Sequence, residues 1–167
     1  TLDTLAATLD QVISLRPDRV ALFGYAHVPW MKKHQRLIDD TRLPDVYERF
    51  AQARLGASML EDAGYVAIGL DHFALPEDGM ARALHDGSLH RNFQGYTTDT
   101  ADALIGFGAS AIGRLPHGYF QKAVGLGEYA ARNRSGGLAT VKGYVPPSAD
   151  RLGDDLIQRT TVEVTLL

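Results

Sequence analysis

The chain contains no cysteine in its 167 residues. That excludes disulfides, zinc sites built on thiolates and any iron–sulfur cluster held by this chain alone. It also lacks an excess of either charge, since 17 Lys and Arg stand against 20 Asp and Glu for a formal net charge of -3. With both signs interspersed there is no basic surface to hold a phosphate backbone, so nucleic acid is not an expected partner. No apolar run approaches the ~20 residues of a membrane helix, and the first residues lack the charged and apolar regions of a signal peptide. The expectation is therefore a soluble, cytoplasmic protein with no membrane partner. The chain opens at Thr1 and closes on Leu166-Leu167 directly after a polar stretch, which suggests an excerpt of a longer polypeptide. With 45% hydrophobic residues, its length suffices for one domain with a buried core.

Leu2, Leu5, Leu9, Val12 and Ile13 recur at helical spacing and predict a helix over 2–15, stopped by Arg16-Pro17-Asp18. Residues 19–23 form a short apolar run that predicts a strand, followed by a loop through Tyr25-Ala26-His27-Val28-Pro29. From Pro44, the positions Val46, Phe50, Ala53, Ala57 and Leu60 predict a second helix ending near Gly64. A buried strand over 65–70 then runs into Asp71-His72-Phe73, and Pro76-Glu77-Asp78 starts a helix reaching about His85. Residues 88–98 show no period and predict a functional loop. Residues 103–107 predict a third strand before a glycine-rich segment, or a helical turn started by Asp99-Thr100-Ala101-Asp102, with further helix candidates at 125–134 and 148–160.

Strands alternating with helices through short connections imply an α/β fold with parallel strands and covering helices. Ligands collect at the carboxyl ends of such strands. Three polar clusters are expected to share that face: Tyr25-Ala26-His27, Asp71-His72 and Gly108-Ala109-Ser110. His27, Asp71, His72 and His90 are chemically able to hold a divalent metal for hydrolysis, although no paired-histidine spacing demands it; hydrogen-bonded loop histidines are the alternative. Residues 106–111 (GFGASA) match the dinucleotide pattern G-x-G-x-x-A, but Gly113, Pro116 and Gly118 disfavour the helix that pattern needs. Close approach of the backbone to a ligand, or a plain tight turn, remain as readings. Lys32, Lys33, His34 and Arg36 form a basic run able to meet an anion, or simply a solvated face, with Asp39-Asp40 offsetting part of the charge.

Three segments, FGYAHVPWMKKHQRLI at 23–38, GLDHFALPEDGMA at 69–81 with LHRNFQGYTT at 89–98, and LIGFGASAIG at 104–113, resemble oxygen-independent coproporphyrinogen III oxidase, a radical S-adenosylmethionine enzyme of haem synthesis. The resemblance covers roughly residues 19–160. It implies a partial (β/α) TIM barrel of the radical-SAM type, with residues 1–167 forming its carboxyl portion as a single unit. The cluster-bearing half and a smaller C-terminal domain would lie outside the chain. It also implies S-adenosylmethionine and a [4Fe–4S] cluster as cofactors, an electron donor, and coproporphyrinogen III as substrate. In that family a 5'-deoxyadenosyl radical removes hydrogen from two propionates, which lose CO2 to become the vinyl groups of protoporphyrinogen IX. The cluster's three-cysteine loop is absent, so the 167 residues alone are expected to be inactive and, with open sheet edges, to self-associate.

Carried over by this resemblance, the S-adenosylmethionine contacts fall on Ala26, Phe93, Gln94 and Ile112. Lys32, Lys33, Arg36 and Arg91 are candidates for the substrate carboxylates, with an Arg91–Asp71 pair as a structural alternative. A cluster-free tetrapyrrole or haem binder using His27, His72 or His117, and a metal-dependent barrel hydrolase, are the competing readings.

Overall fold

The computed structural model describes residues 1–147 together with Asp150 and Gly153. Two compact units divide the described chain, residues 1–98 and residues from Asp99 onward.

In the first unit, helix α1 (Leu2–Leu15) is capped by Thr1, whose hydroxyl accepts the Thr4 N–H at 3.3 Å. It ends at Arg16, which takes the left-handed conformation (φ 47°) just before Pro17. Strand β1 (Arg19–Ala21) follows, then two turns of 3-10 helix at Lys33–Leu37 and Asp40–Arg42. Helix α2 (Val46–Asp62) starts on Asp45, whose carboxylate accepts the Glu48 N–H at 2.8 Å. Leu9 of α1 and Leu60 of α2 pack with Tyr65, Phe73 and Leu75 into one core cluster. Gly56 of α2 makes room for the chain beyond β1, because a Cβ there would lie 2.4 Å from Leu22 Cδ2. The N-terminal half of the α2 stripe behaves differently from the expected core face: Val46 and Phe50 are exposed.

Strands β2 (Val66–Ile68) and β3 (His72–Ala74) form a hairpin, and β3 also pairs with β1, giving the order β1-β3-β2. Both pairings are antiparallel. β1 and β2 thus run the same way, as strand–helix–strand logic requires, but β3 lies between them and runs opposite. The expected parallel sheet is corrected here, and every strand pairing among the described residues is antiparallel. The cause is local. Gly69 adopts φ +64° and reverses the chain within the three residues Gly69-Leu70-Asp71.

Helix α3 (Gly79–His85) covers the sheet with Met80, Ala81 and Ala83 packed among Ile68, Ala74, Leu89 and Tyr96. Full burial of a residue such as Ile68 or Leu60 contributes about 1.5–3 kcal/mol. Asp78 caps α3 by accepting the Met80 N–H at 2.7 Å, and both its oxygens accept from Arg19 Nε on β1 at 2.9 Å. Burial raises the Asp78 pKa. The Arg19 hydrogen bond, the Met80 amide and the charges of Arg19 and Arg82 outweigh that and hold it below the usual carboxylate value.

The stretch 88–98, expected as a loop, contains a second hairpin, β4 (His90–Asn92) with β5 (Gly95–Thr97). Its strands are three residues long, too short to display a two-residue alternation in sequence.

The second unit holds β6 (Ile112–Leu115), β7 (Gly118–Lys122), α4 (Leu126–Arg134) and β8 (Thr140–Tyr144), with sheet order β6-β7-β8. The third strand predicted at 103–107 reduces to a single antiparallel bridge, Leu104 with Arg114. Gly108 (φ +99°) and Ser110 (φ 63°) turn the backbone left-handed where a strand would continue. No helix follows, so the dinucleotide pattern is not realised. Glycines here serve close packing within the chain: a Cβ on Gly113 would lie 2.2 Å from Phe120 Cζ, and one on Gly118 2.3 Å from the Tyr144 carbonyl. The helix candidate at 148–160 falls, apart from Asp150 and Gly153, outside the described residues. No helix among the described residues is long and apolar enough to cross a membrane.

Candidate functional site

The chain leaving β1 is tied first to the β2–β3 hairpin, through a hydrogen bond from the Leu22 N–H to the Asp71 carbonyl at 2.8 Å. Asp71 also holds its neighbour, with Oδ1 lying 2.7 Å from His72 Nδ1. The His72 ring is gripped edge-to-face by Phe23 at 5.6 Å and by Tyr96 at 5.4 Å between centroids. Of the three polar clusters read from the sequence, Tyr25-Ala26-His27 and Asp71-His72 belong to the first unit, the former lying in the chain just beyond Phe23, which packs on His72. The third, Gly108–Ser110, belongs to the second unit.

Ala26 lies exposed in the segment beyond. Its carbonyl accepts from Gln35 Nε2 at 3.1 Å, while Gln35 Oε1 accepts the Val28 N–H at 2.6 Å. Gln35 is the one polar residue that is buried among the described residues. Sequence reasoning passed over it, and the one available signal was a glutamine amid the basic run at 32–36. Among the described residues the Ala26 N–H has no partner. His27, half-buried, bonds through Nδ1 to the Tyr25 hydroxyl at 3.2 Å.

Phe93 and Gln94 form the two-residue tip of the β4–β5 hairpin, closed by the pair Asn92 and Gly95. The Asn92 Oδ1 accepts the Gln94 N–H at 2.8 Å, which holds the tip and leaves the Gln94 side chain exposed. Arg91 stands opposite Tyr96 in the ladder, with its guanidinium carbon 5.5 Å from the ring centroid. Its Nε is buried with no hydrogen-bond partner among the described residues. Among the described residues Arg91 makes no ion pair with Asp71, whose Oδ1 lies against His72. A buried unpaired donor costs about 1–3 kcal/mol, so Arg91 carries unspent capacity for an acceptor.

Lys32, Lys33 and Arg36 are exposed around the first 3-10 turn. Ile112 opens β6 in the second unit, with its side chain partly exposed. His117, also exposed, sits in the β6–β7 turn of that unit. Among the described residues no three His, Asp or Glu side chains gather into a metal-binding group. His90 is exposed at the start of β4.

A cavity of about 720 Å³ opens between α1, the segment after β1 and the start of α2, with walls that include Phe23, His27, Ile38, Val46 and Phe50. Its size suits a small-molecule ligand. It takes in Tyr25 and His27, the neighbours of Ala26, but none of the four residues expected at the cofactor.

No family model matches the sequence. The chain is 53% identical over 163 residues to oxygen-independent coproporphyrinogen III oxidase of Bradyrhizobium diazoefficiens, an alignment covering 96% of this chain and 36% of that protein. It is 49% identical over 150 residues to an anaerobic coproporphyrinogen III oxidase of Cereibacter sphaeroides, covering 90% and 33%. The solved structure of coproporphyrinogen III oxidase from Escherichia coli, a radical SAM enzyme, superposes with a TM-score of 0.87 at 37% identity, covering 97% of this chain and 37% of that one. The resemblance carried by the three segments thus extends along nearly the whole sequence and through the fold. The chain spans about a third of the length of the relatives it matches.

Proposed function

We propose that these residues are the part of an oxygen-independent coproporphyrinogen III oxidase that follows the cluster-bearing half of a partial radical-SAM barrel. The reaction is the oxidative decarboxylation of two propionates of coproporphyrinogen III to the vinyl groups of protoporphyrinogen IX, in the cytoplasm. The observation that carries this reading is end-to-end similarity in sequence and backbone to enzymes of that activity.

The chain's own chemistry sets its share of the work. It has no cysteine, so it does not fit a [4Fe–4S] cluster held by thiolates; those ligands, and the contact with an electron donor, belong to polypeptide outside it. The donor set fits S-adenosylmethionine better. Ala26 offers an unpaired main-chain N–H and the second lone pair of its carbonyl, and Gln94 an exposed carboxamide that both donates and accepts. Phe93 is assigned an apolar contact with the ligand, and Ile112 a main-chain hydrogen bond to it. When bound beside a reduced cluster, S-adenosylmethionine supplies the radical. Arg91, with its unpaired buried Nε, and the exposed Lys32, Lys33 and Arg36 are assigned to the substrate's carboxylates. Alone, the 167 residues are inactive and pair through their open sheet edges.

The test is a chimera of the Escherichia coli enzyme in which the matching segment is replaced by this chain. Anaerobic conversion of coproporphyrinogen III to protoporphyrinogen IX is expected. A folded, cluster-loaded chimera that binds the porphyrinogen without decarboxylating it refutes the proposal.

A further inference from the structure

We propose that Gln35 is a positioning residue that fixes the main chain of Ala26 for a cofactor, an inference that rests on the function proposed above. The geometry is that of a neighbouring residue pairing with a strand. In an extended segment the C=O of one residue and the N–H two residues on point to the same side, and in a parallel ladder one residue of the next strand bonds both through its own N–H and C=O. Here a side-chain amide takes that residue's place: Gln35 Nε2 donates to the Ala26 carbonyl and Gln35 Oε1 accepts from the Val28 N–H, at 3.1 and 2.6 Å. Residues 25–29 belong to no strand or helix, so nothing in the regular structure sets their conformation. The clamp is itself anchored, because Gln35 lies in the 3-10 turn Lys33–Leu37 with its side chain buried. A buried amide with both functions satisfied is a rigid device, since losing either bond strands a polar group away from water.

Glutamine suits this task by virtue of carrying a donor and an acceptor on one planar group. Glutamate at neutral pH accepts from Val28 but sets a negative oxygen against the Ala26 carbonyl. Leucine fills similar volume and makes neither bond. The Ala26 carbonyl is thereby fixed in direction with a second lone pair left over, and a ligand that reads the main chain at Ala26 finds that group already oriented.

Gln35→Leu and Gln35→Glu are made in the chimera described above, and two quantities are measured on each: amide hydrogen exchange at residues 26–28, and the equilibrium dissociation constant for S-adenosylmethionine. Circular dichroism confirms that the helices persist. Gln35→Leu is expected to speed exchange at Val28 and to weaken S-adenosylmethionine binding, each by about tenfold or more. Gln35→Glu is expected to be impaired at neutral pH and to recover slow exchange and affinity as its carboxyl is protonated, a pH signature that a packing defect does not produce. Unaltered exchange at Val28, or faster exchange with unchanged affinity, overturns the proposal alone. Failure of the unsubstituted chimera to bind S-adenosylmethionine overturns the function reading and this inference with it.

Discussion

The phenol of Tyr96 stands where a side chain on Gly69 would be: a Cβ built at Gly69 lies 1.9 Å from both the ring Cζ and the hydroxyl oxygen. That hydroxyl accepts the Leu70 N–H at 3.0 Å, so the ring from β5 both seals and hydrogen-bonds the β2–β3 turn. Gly69 satisfies two demands together, a left-handed backbone and an empty volume.

Gly69→Ala is therefore expected to lower stability by about 2–5 kcal/mol, combining left-handed strain with overpacking. Tyr96→Phe keeps the ring and loses only the hydrogen bond, with an expected cost of about 1 kcal/mol. Urea unfolding followed by circular dichroism ranks the two. If the glycine variant proves the milder, the ring moves aside freely and the turn is not fixed by it.

Asp78 is expected to shape the response to acid. Its pKa is depressed in the folded chain, so its stabilising contribution is fully present above the unfolded carboxylate pKa and is lost as pH falls through the lower folded value. Asp78→Asn retains a side chain that caps α3 well but removes the charge facing Arg19. Melting temperatures recorded from about pH 7 to about pH 2 are expected to fall less steeply for the variant. Parallel curves count against the assignment.

Two glycines of the second unit are expected to respond with opposite sign. Gly118→Ala would place a methyl against the Tyr144 carbonyl, a backbone atom that cannot rotate away, and is expected to destabilise by about 1–3 kcal/mol. Gly127 lies in α4 with nothing within 4 Å of its would-be Cβ, and alanine there is expected to stabilise by up to about 1 kcal/mol through helix propensity. Denaturant midpoints of the two single variants decide both.

Arg91→Ala in the chimera is expected to raise the KM for coproporphyrinogen III about tenfold or more, the scale of a lost charged hydrogen bond, with a smaller change in kcat. Arg91→Lys keeps the charge without the forked Nε donor and is expected to fall between. A KM unchanged in both removes Arg91 from substrate recognition.

The helices were the most legible part of the sequence. α1 and α2 are long enough to repeat their apolar spacing several times, and Arg16-Pro17 and Gly64 mark their ends. Strand positions at 19–21 and 66–68 were also readable from short apolar runs, but pairing direction was not: it depends on a reversal at Gly69 that looks in sequence like an ordinary strand end. The sheet of the second unit escaped notice because Gly113, Gly118 and Gly143 sit inside its strands, where glycine ordinarily signals a break. At the site, His72 and Phe93-Gln94 stood out as chemistry beside a strand or within an aperiodic stretch. Gln35 did not, since its importance comes from two backbone groups seven and nine residues away, a relationship that no periodicity encodes.

Asp71 fastens the Leu22 amide with its carbonyl and the His72 ring with its carboxylate. One residue thus ties together the two ends of the long excursion that contains α2, so the loop from Leu22 to Asp71 starts and finishes at the same knot, with an imidazole fastened to it.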